Sequence, residues 1–271
     1  MRKGRFLSWA LLVAALGLGC LRSPQELARE HKDRAQAWVE AGKLREASVE
    51  YQAALQRVPT DVEALLGLSH VLDLSGNQAE SARLLRRAIA AEPGNTAARL
   101  HLAEISLRAC NYSEALDLAR QVSAAHPEDA VALRLEARAL AALGERDQAR
   151  LAWEAVLASP RADAGAYLDA AAWEVSAGEP RRAAELLRQG LETFPRSGLL
   201  HAELGGVLVE TEPQESRALF ARAEALAPDE ARVWLSRARA LVRQGFADEA
   251  VALLAQAQRA QTDPAREAEL A

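Results

Sequence analysis

Small residues return along this chain at a nearly constant interval. Ala47, Ser81, Ala115, Ala149, Ala183, Ser216 and Ala250 are separated by 34, 34, 34, 34, 33 and 34 residues. A second set keeps step twelve positions earlier, at Ala35, Ser69, Ala103, Ala137, Ala171 and Ala238, with Gly205 serving the sixth unit. Turn signals follow the same period: Gly42, Gly76, Cys110, Gly144, Gly178 and Gly245 close the first half of a unit. Pro59, Pro93, Pro127, Pro160, Pro195 and Pro228 close the second. A unit this short cannot bury its own apolar stripe, so it must hide that stripe between its two halves and against the next unit.

The halves are helices. Ala fills nearly a quarter of the 271 residues and only 12 are aromatic, which favours helix and leaves none of the alternating β-branched and aromatic runs of an all-β fold. With 50% hydrophobic residues and a net charge of −5, global disorder is excluded as well. Ala or Ser is required where two helices cross closely, because a larger side chain would push the axes apart. Bulkier residues one turn on, at Tyr51, Leu85, Trp153, Leu187, Phe220 and Leu254, are expected to fill the layer around each crossing. Gly after the first helix can take the left-handed conformation that ends it, and Pro after the second stops it by lacking an amide donor. Where Cys110 replaces Gly, the neighbouring Asn111 is expected to take the left-handed turn.

The first unit reads AREHKDRAQAWVEAGKLREASVEYQAALQRVPTD, and the whole pattern resembles the tetratricopeptide repeat family over residues 28–262. The resemblance implies an all-α fold, a right-handed α-solenoid of about seven helix-turn-helix units. These start near residues 28, 62, 96, 130, 164, 198 and 231. Ser23-Pro24-Gln25-Glu26 is a capping box with Pro at the first helical position, so the first helix is expected to begin slightly before the strict repeat. Residues 263–271 are expected to cap the last unit. The sixth unit lacks its turn Gly and one residue, reading Glu210-Thr211-Glu212-Pro213, and Pro160 falls one place early. The solenoid should be least regular around that sixth turn.

Residues 1–19 have the layout of an export signal: a cationic start with Arg2, Lys3 and Arg5, then an apolar stretch of about 13 residues, too short to span a bilayer. Gly17-Leu18-Gly19-Cys20 resembles a bacterial lipoprotein box, with Cys20 as the acylated residue and residues 20–27 as the anchor leading into the first helix. The box departs from the usual pattern in having Gly17 three residues before the cysteine, with Leu16 one place further back, and an ordinary cleaved signal is the alternative. The lipoprotein reading implies a protein anchored in the cell envelope, at the outer membrane facing the periplasm.

Beyond the leader the balance is 30 cations against 38 anions, a surface that would repel phosphate backbones, so nucleic acid is not an expected partner. No HExxH, CxxC, Gly-rich phosphate loop or GxSxG occurs, and the five histidines lack i,i+4 pairing. No cofactor, metal, small-molecule substrate or catalytic set is expected. Cys110 is read as a turn residue rather than a nucleophile. The chain is therefore read as a non-enzyme whose partners are other proteins or peptide segments.

In the family it resembles, the inner wall is lined by the first helix of each unit. Carried over, the wall positions are Glu63, Leu66, His70 and Asp73; Leu100, Glu104, Leu107 and Arg108; Arg134 and Arg138; then Leu168, Val175, Leu199, Val209, Leu235, Arg239 and Arg243. Leu and Arg dominate, which suits a partner segment offering an apolar side chain beside a carboxylate. The competing reading has these arginines satisfied internally, for example Arg138 by Glu104. Arg86 and Arg87 are taken as outer-helix arginines away from the wall. The leading expectation is an envelope scaffold or assembly factor. The alternatives are a regulatory or substrate-recruiting subunit of an envelope enzyme or export system, and a soluble cytoplasmic adaptor.

Overall fold

The computed structural model describes residues 22–261, and the export signal, Cys20 and the terminal segment 263–271 lie outside them. The described residues form fourteen α-helices and no strand. They are α1 (Pro24–Glu40), α2 (Leu44–Arg57), α3 (Val62–Leu74), α4 (Gln78–Ala91), α5 (Thr96–Arg108), α6 (Tyr112–Ala125) and α7 (Ala130–Leu143). There follow α8 (Arg146–Ala158), α9 (Ala164–Ser176), α10 (Pro180–Thr193), α11 (Gly198–Leu208), α12 (Pro213–Leu226), α13 (Ala231–Arg243) and α14 (Ala247–Gln261). Odd-numbered helices are the first arm of each of seven hairpins, even-numbered ones the second. The chain divides into two compact units, 1–122 and 123–271, with the boundary in the last turn of α6.

Each first-arm helix begins the same way. Asp61, Asn95, Asp129, Asp163, Ser197 and Glu230 each accept a hydrogen bond from a backbone N–H in the first turn, at 2.9 Å for Asp61 and 2.8 Å for Asn95 and Asp163. These caps satisfy donors that the helix itself leaves unpaired. Helix α1 starts with the expected box: the Ser23 hydroxyl accepts from Glu26 N, and Glu26 accepts from Ser23 N.

Every hairpin turn but the sixth contains one residue with positive φ. Five are the glycines named above, and the sixth is Cys110 itself, at φ 60°. The expectation that Asn111 would take the strain is thus corrected. Cys110 N donates to Leu107 O and Asn111 N to Ser106 O, a closure that places the left-handed residue at 110 and leaves 111 at the entry to α6. In the sixth hairpin Val209 stays right-handed and Glu212 N returns to Leu208 O, which shortens the turn where the residue is missing. Ala247, two residues after the turn glycine Gly245, opens α14.

Packing confirms the small-residue register. Ala47, Ala115, Ala149 and Ala183 are fully buried, as are their first-arm counterparts Ala35, Ala103 and Ala137. Where Ser stands at the second-arm crossing position its hydroxyl is satisfied by the opposite helix: Ser81 Oγ donates to Ser69 O at 2.8 Å, and Ser216 Oγ to Gly205 O at 2.7 Å. The hydroxyl therefore bridges the two sets of small residues, avoiding the cost of an unpaired buried donor.

In the second unit the layers can be followed hairpin by hairpin. Ala137, Trp153 and Val156 receive Ala166 and Ala170 of α9. Ala171, Ala183, Ala184 and Leu187 receive Leu200, Leu204 and Leu208 of α11. Phe220 and Ala223 receive Val233 and Ala240 of α13. Tyr51, Leu85, Trp153, Leu187 and Phe220 are buried as expected, but Leu254 is not, because no following helix covers α14 among the described residues.

Candidate protein-binding surface

In the first unit α1 and α3 wall a groove of about 620 Å³ lined by Lys32, Gln36, Glu40, Tyr51, Glu63 and Leu66. Lys32 is held across it by Asp61, 3.0 Å away, and by Glu63. Burial works against its charge, but the bonds to these two carboxylates outweigh that and raise its pKa. Burial pushes the Tyr51 phenol up, with the Glu63 charge adding to it. Lys32, Gln36 and Glu40 were missed in sequence, although the position rule applied one unit earlier finds them.

Further along the same unit, Asp73 gathers its neighbours. Arg108 donates to both of its oxygens at 2.5 and 2.6 Å, and His101 Nε2 lies 3.2 Å away, with the His70 ring edge-on to His101. Burial opposes ionisation of Asp73, but the bonds from Arg108 and His101 prevail and hold its carboxyl below the ordinary value. Glu104 is exposed and sits 3.8 Å from Arg108. Leu66 and Leu100 are half-buried, whereas Leu107 is buried and is no part of an open wall, a correction to the sequence reading. Arg86 and Arg87 are not free outer-helix groups either: Arg86 pairs with Glu114 at 2.7 Å and Arg87 donates to Pro59 O at 2.9 Å.

In the second unit Arg134 is tied to Asp163 at 3.2 Å and approaches Asp169 at 3.8 Å, while Arg138, one turn on, is exposed. Leu168 and Leu199 pack partly against the core clusters, and Val209 is buried in one of them, so Val209 too leaves the wall. Arg243 donates to the Gly206 carbonyl and so closes the C-terminal end of α11. Val175, Leu235 and Arg239 remain exposed and share a groove of about 760 Å³ with Val207, Val242, Val251 and Leu254. The lining of this groove is mainly apolar.

One charged cluster went unforeseen. Glu174 on α9 is 2% exposed and is held by Arg150 of α8, at 3.2 and 3.3 Å, and by Arg182 of α10 at 3.5 Å. Arg150 also lies over the Trp173 ring, 5.6 Å from its centroid.

No group of three or more His, Cys, Asp or Glu residues able to hold a metal occurs among the described residues, and none of their helices is long and apolar enough to cross a membrane.

Two family models described as tetratricopeptide repeat match the chain, one over residues 75–138 and the other over residues 32–96 and 209–265. No curated protein sequence matches it. Among solved structures, it is similar to a tetratricopeptide repeat protein from Parabacteroides merdae, with a TM-score of 0.65 and 17% identity over 86% of this chain and 93% of that one. MamA from Desulfovibrio magneticus is similar with a TM-score of 0.57 and 19% identity, covering 61% of this chain and 93% of that one. YrrB, described as a TPR protein with an unusual peptide-binding site, is similar with a TM-score of 0.52 and 19% identity, covering 61% and 85%. At these identities the likeness is one of fold.

Proposed function

Because the chain belongs to the tetratricopeptide repeat family, we propose that it is a non-catalytic scaffold that binds other proteins or peptide segments through the exposed faces of its first-arm helices, and that it is held in the bacterial cell envelope by acylation of Cys20. The observation that carries the scaffold reading is the groove of the second unit, where Val175, Leu235, Val242, Val251 and Leu254 stay open to solvent on one surface. Exposed apolar surface of this kind marks an interaction site. The peptide-binding site ascribed to YrrB supports the same class of ligand.

The exposed guanidinium groups of Arg239 and Arg138 add specificity rather than burial, since Arg pairs with carboxylates in a fixed planar geometry. Arg108, Arg134 and Arg243 have an architectural role, because each already joins neighbouring first-arm helices or their caps. Anchoring rests on the Gly19-Cys20 pair and the apolar stretch before it. Two or three acyl chains would hold the protein on a membrane where a single chain is marginal.

Two measurements test the proposal. A photo-crosslinking residue in place of Leu235 or Arg239 should join to another protein in intact cells, whereas one at the exposed Ala155 of α8 should not; equal adducts from all three positions would defeat the scaffold reading. Cys20→Ala should abolish palmitate labelling and move the protein out of the membrane fraction. Unchanged labelling and fractionation would defeat the anchor at Cys20, and an unsubstituted protein that carries no label and fractionates with the cytoplasm would favour a soluble cytoplasmic adaptor.

A further inference from the structure

The last hairpin repeats the fifth at an offset of 67 residues. Ala171, Ala183, Ala184 and Leu187 correspond to Ala238, Ala250, Val251 and Leu254. The first four are all buried, Ala184 at 3% and Leu187 at 1% exposure, because α11 lies on them and delivers Leu200, Leu204 and Leu208. The small residues of the second set are buried too, within their own hairpin. The two side chains that would face a following helix are open, Val251 at 69% and Leu254 at 36%. Val242 and Leu235 border the same groove and are exposed with them.

We infer that this terminal slot on α13 and α14 receives an amphipathic helix from another protein, one that carries large apolar side chains at i, i+4 and i+8. The inference rests on the scaffold reading and specifies the shape and chemistry of its partner. Three junctions of the same unit show what such a slot accepts: the first-arm helix of the next hairpin, laid with its apolar stripe against both arms. The α9/α10 junction matches the terminal slot position for position, so its occupant defines the complementary stripe as three leucines spaced one turn apart. Residues 262–271 do not carry that stripe. In the same register Glu267 would stand where Leu200 stands, and Ala271 where Leu204 stands. Among the described residues the slot is thus an unfilled copy of an internal interface, and an outside helix that mimics α11 fills it by the same contacts.

The probe is a synthetic peptide of residues 197–210, which contains α11, added to the full chain. It should bind, and the peptide with Leu200→Ser, Leu204→Ser and Leu208→Ser should bind at least tenfold more weakly. Val251→Glu in the protein should weaken binding at least tenfold without changing the melting temperature, since Val251 already faces water. A photo-crosslinking residue at position 251 should join to the peptide. Equal affinity of the two peptides, equal affinity of the Val251→Glu protein, or no binding at millimolar peptide would overturn the inference. Adducts from position 251 to residues 262–271 or to a second copy, undiminished by the peptide, would assign the slot to those occupants and overturn it as well. Failure here with persisting adducts at Arg239 in cells would leave the scaffold reading standing; loss of both would remove it.

Discussion

The ring of Tyr51 on α2 occupies the space that a β-carbon on Gly67 of α3 would need. Gly67 is in mid-helix, where replacing Gly by Ala ordinarily gains about 1 kcal/mol. Here the sign should reverse. Tyr51 is buried, so Gly67→Ala must displace an aromatic ring from a packed site, and a net loss of about 1–3 kcal/mol is expected in urea unfolding. Tyr51→Leu should relieve most of the added penalty in a double-mutant cycle, and an additive cycle would refute the steric account.

Helix crossing places a different limit on Ala149, which has no exposed surface between α8 and its partner. Ala149→Leu should cost about 1–3 kcal/mol through overpacking. Ala155→Leu, on the exposed side of the same helix, should stay within about 0.5 kcal/mol. Equal melting temperatures for the two variants would show that the crossing lies elsewhere.

Cys110 pays for its left-handed conformation with strain that Gly would not carry, of order 1 kcal/mol. Cys110→Gly should therefore raise stability slightly, by up to about 1 kcal/mol, while Cys110→Val, branched at the β-carbon, should lower it. Chemical denaturation of the three proteins side by side checks the order.

Acid should loosen the first unit through Asp73 and Glu114. Burial opposes both charges, yet Arg108 with His101 lowers the pKa of Asp73, and Arg86 with Ser106 lowers that of Glu114. A group depressed on folding stabilises above its unfolded pKa, near about 4, and that contribution is lost as pH falls through the folded value. Stability should thus fall steeply below about pH 4. Asp73→Asn should be less stable at neutral pH and should show a shallower acid slope; an identical slope would place the acid sensitivity elsewhere.

The fold was legible because its controlling residues repeat. A small residue at a crossing, a glycine at a turn and a capping side chain at 61, 95, 129, 163, 197 and 230 each act locally, so their spacing is enough. Surface chemistry was legible only in part. Position in the repeat identifies Leu235 and Arg239 as exposed but does not separate them from Leu107 and Val209, which are buried. Nor does it reveal that Arg108, Arg134 and Arg243 are already engaged, since their partners Asp73, Asp163 and the Gly206 carbonyl lie about one repeat away along the chain. Cys110 shows a further limit: the hydrogen-bond closure of the turn, rather than residue preference, decides which residue takes positive φ.

Arg182 stands just before Ala183, where the hairpins anchored by Ala47, Ser81, Ala115, Ser216 and Ala250 carry Glu46, Glu80, Glu114, Glu215 and Glu249. Its carboxylate partner, Glu174, occupies a site filled by Leu72, Leu140 and Leu208 in other hairpins. Repeats built from such similar parts are open to misassembly, in which one hairpin docks in the berth of another. A fifth hairpin docked behind one of the first three would keep its Arg182 but forfeit Arg150, because their second arms carry Ser48, Ala82 and Leu116 at the matching position; only the sixth, with Arg217, offers an arginine there. Half of the guanidinium support for a buried carboxylate would vanish, a loss that apolar contacts cannot replace. The buried carboxylate thus steers the fifth hairpin away from the N-terminal half of an otherwise interchangeable series.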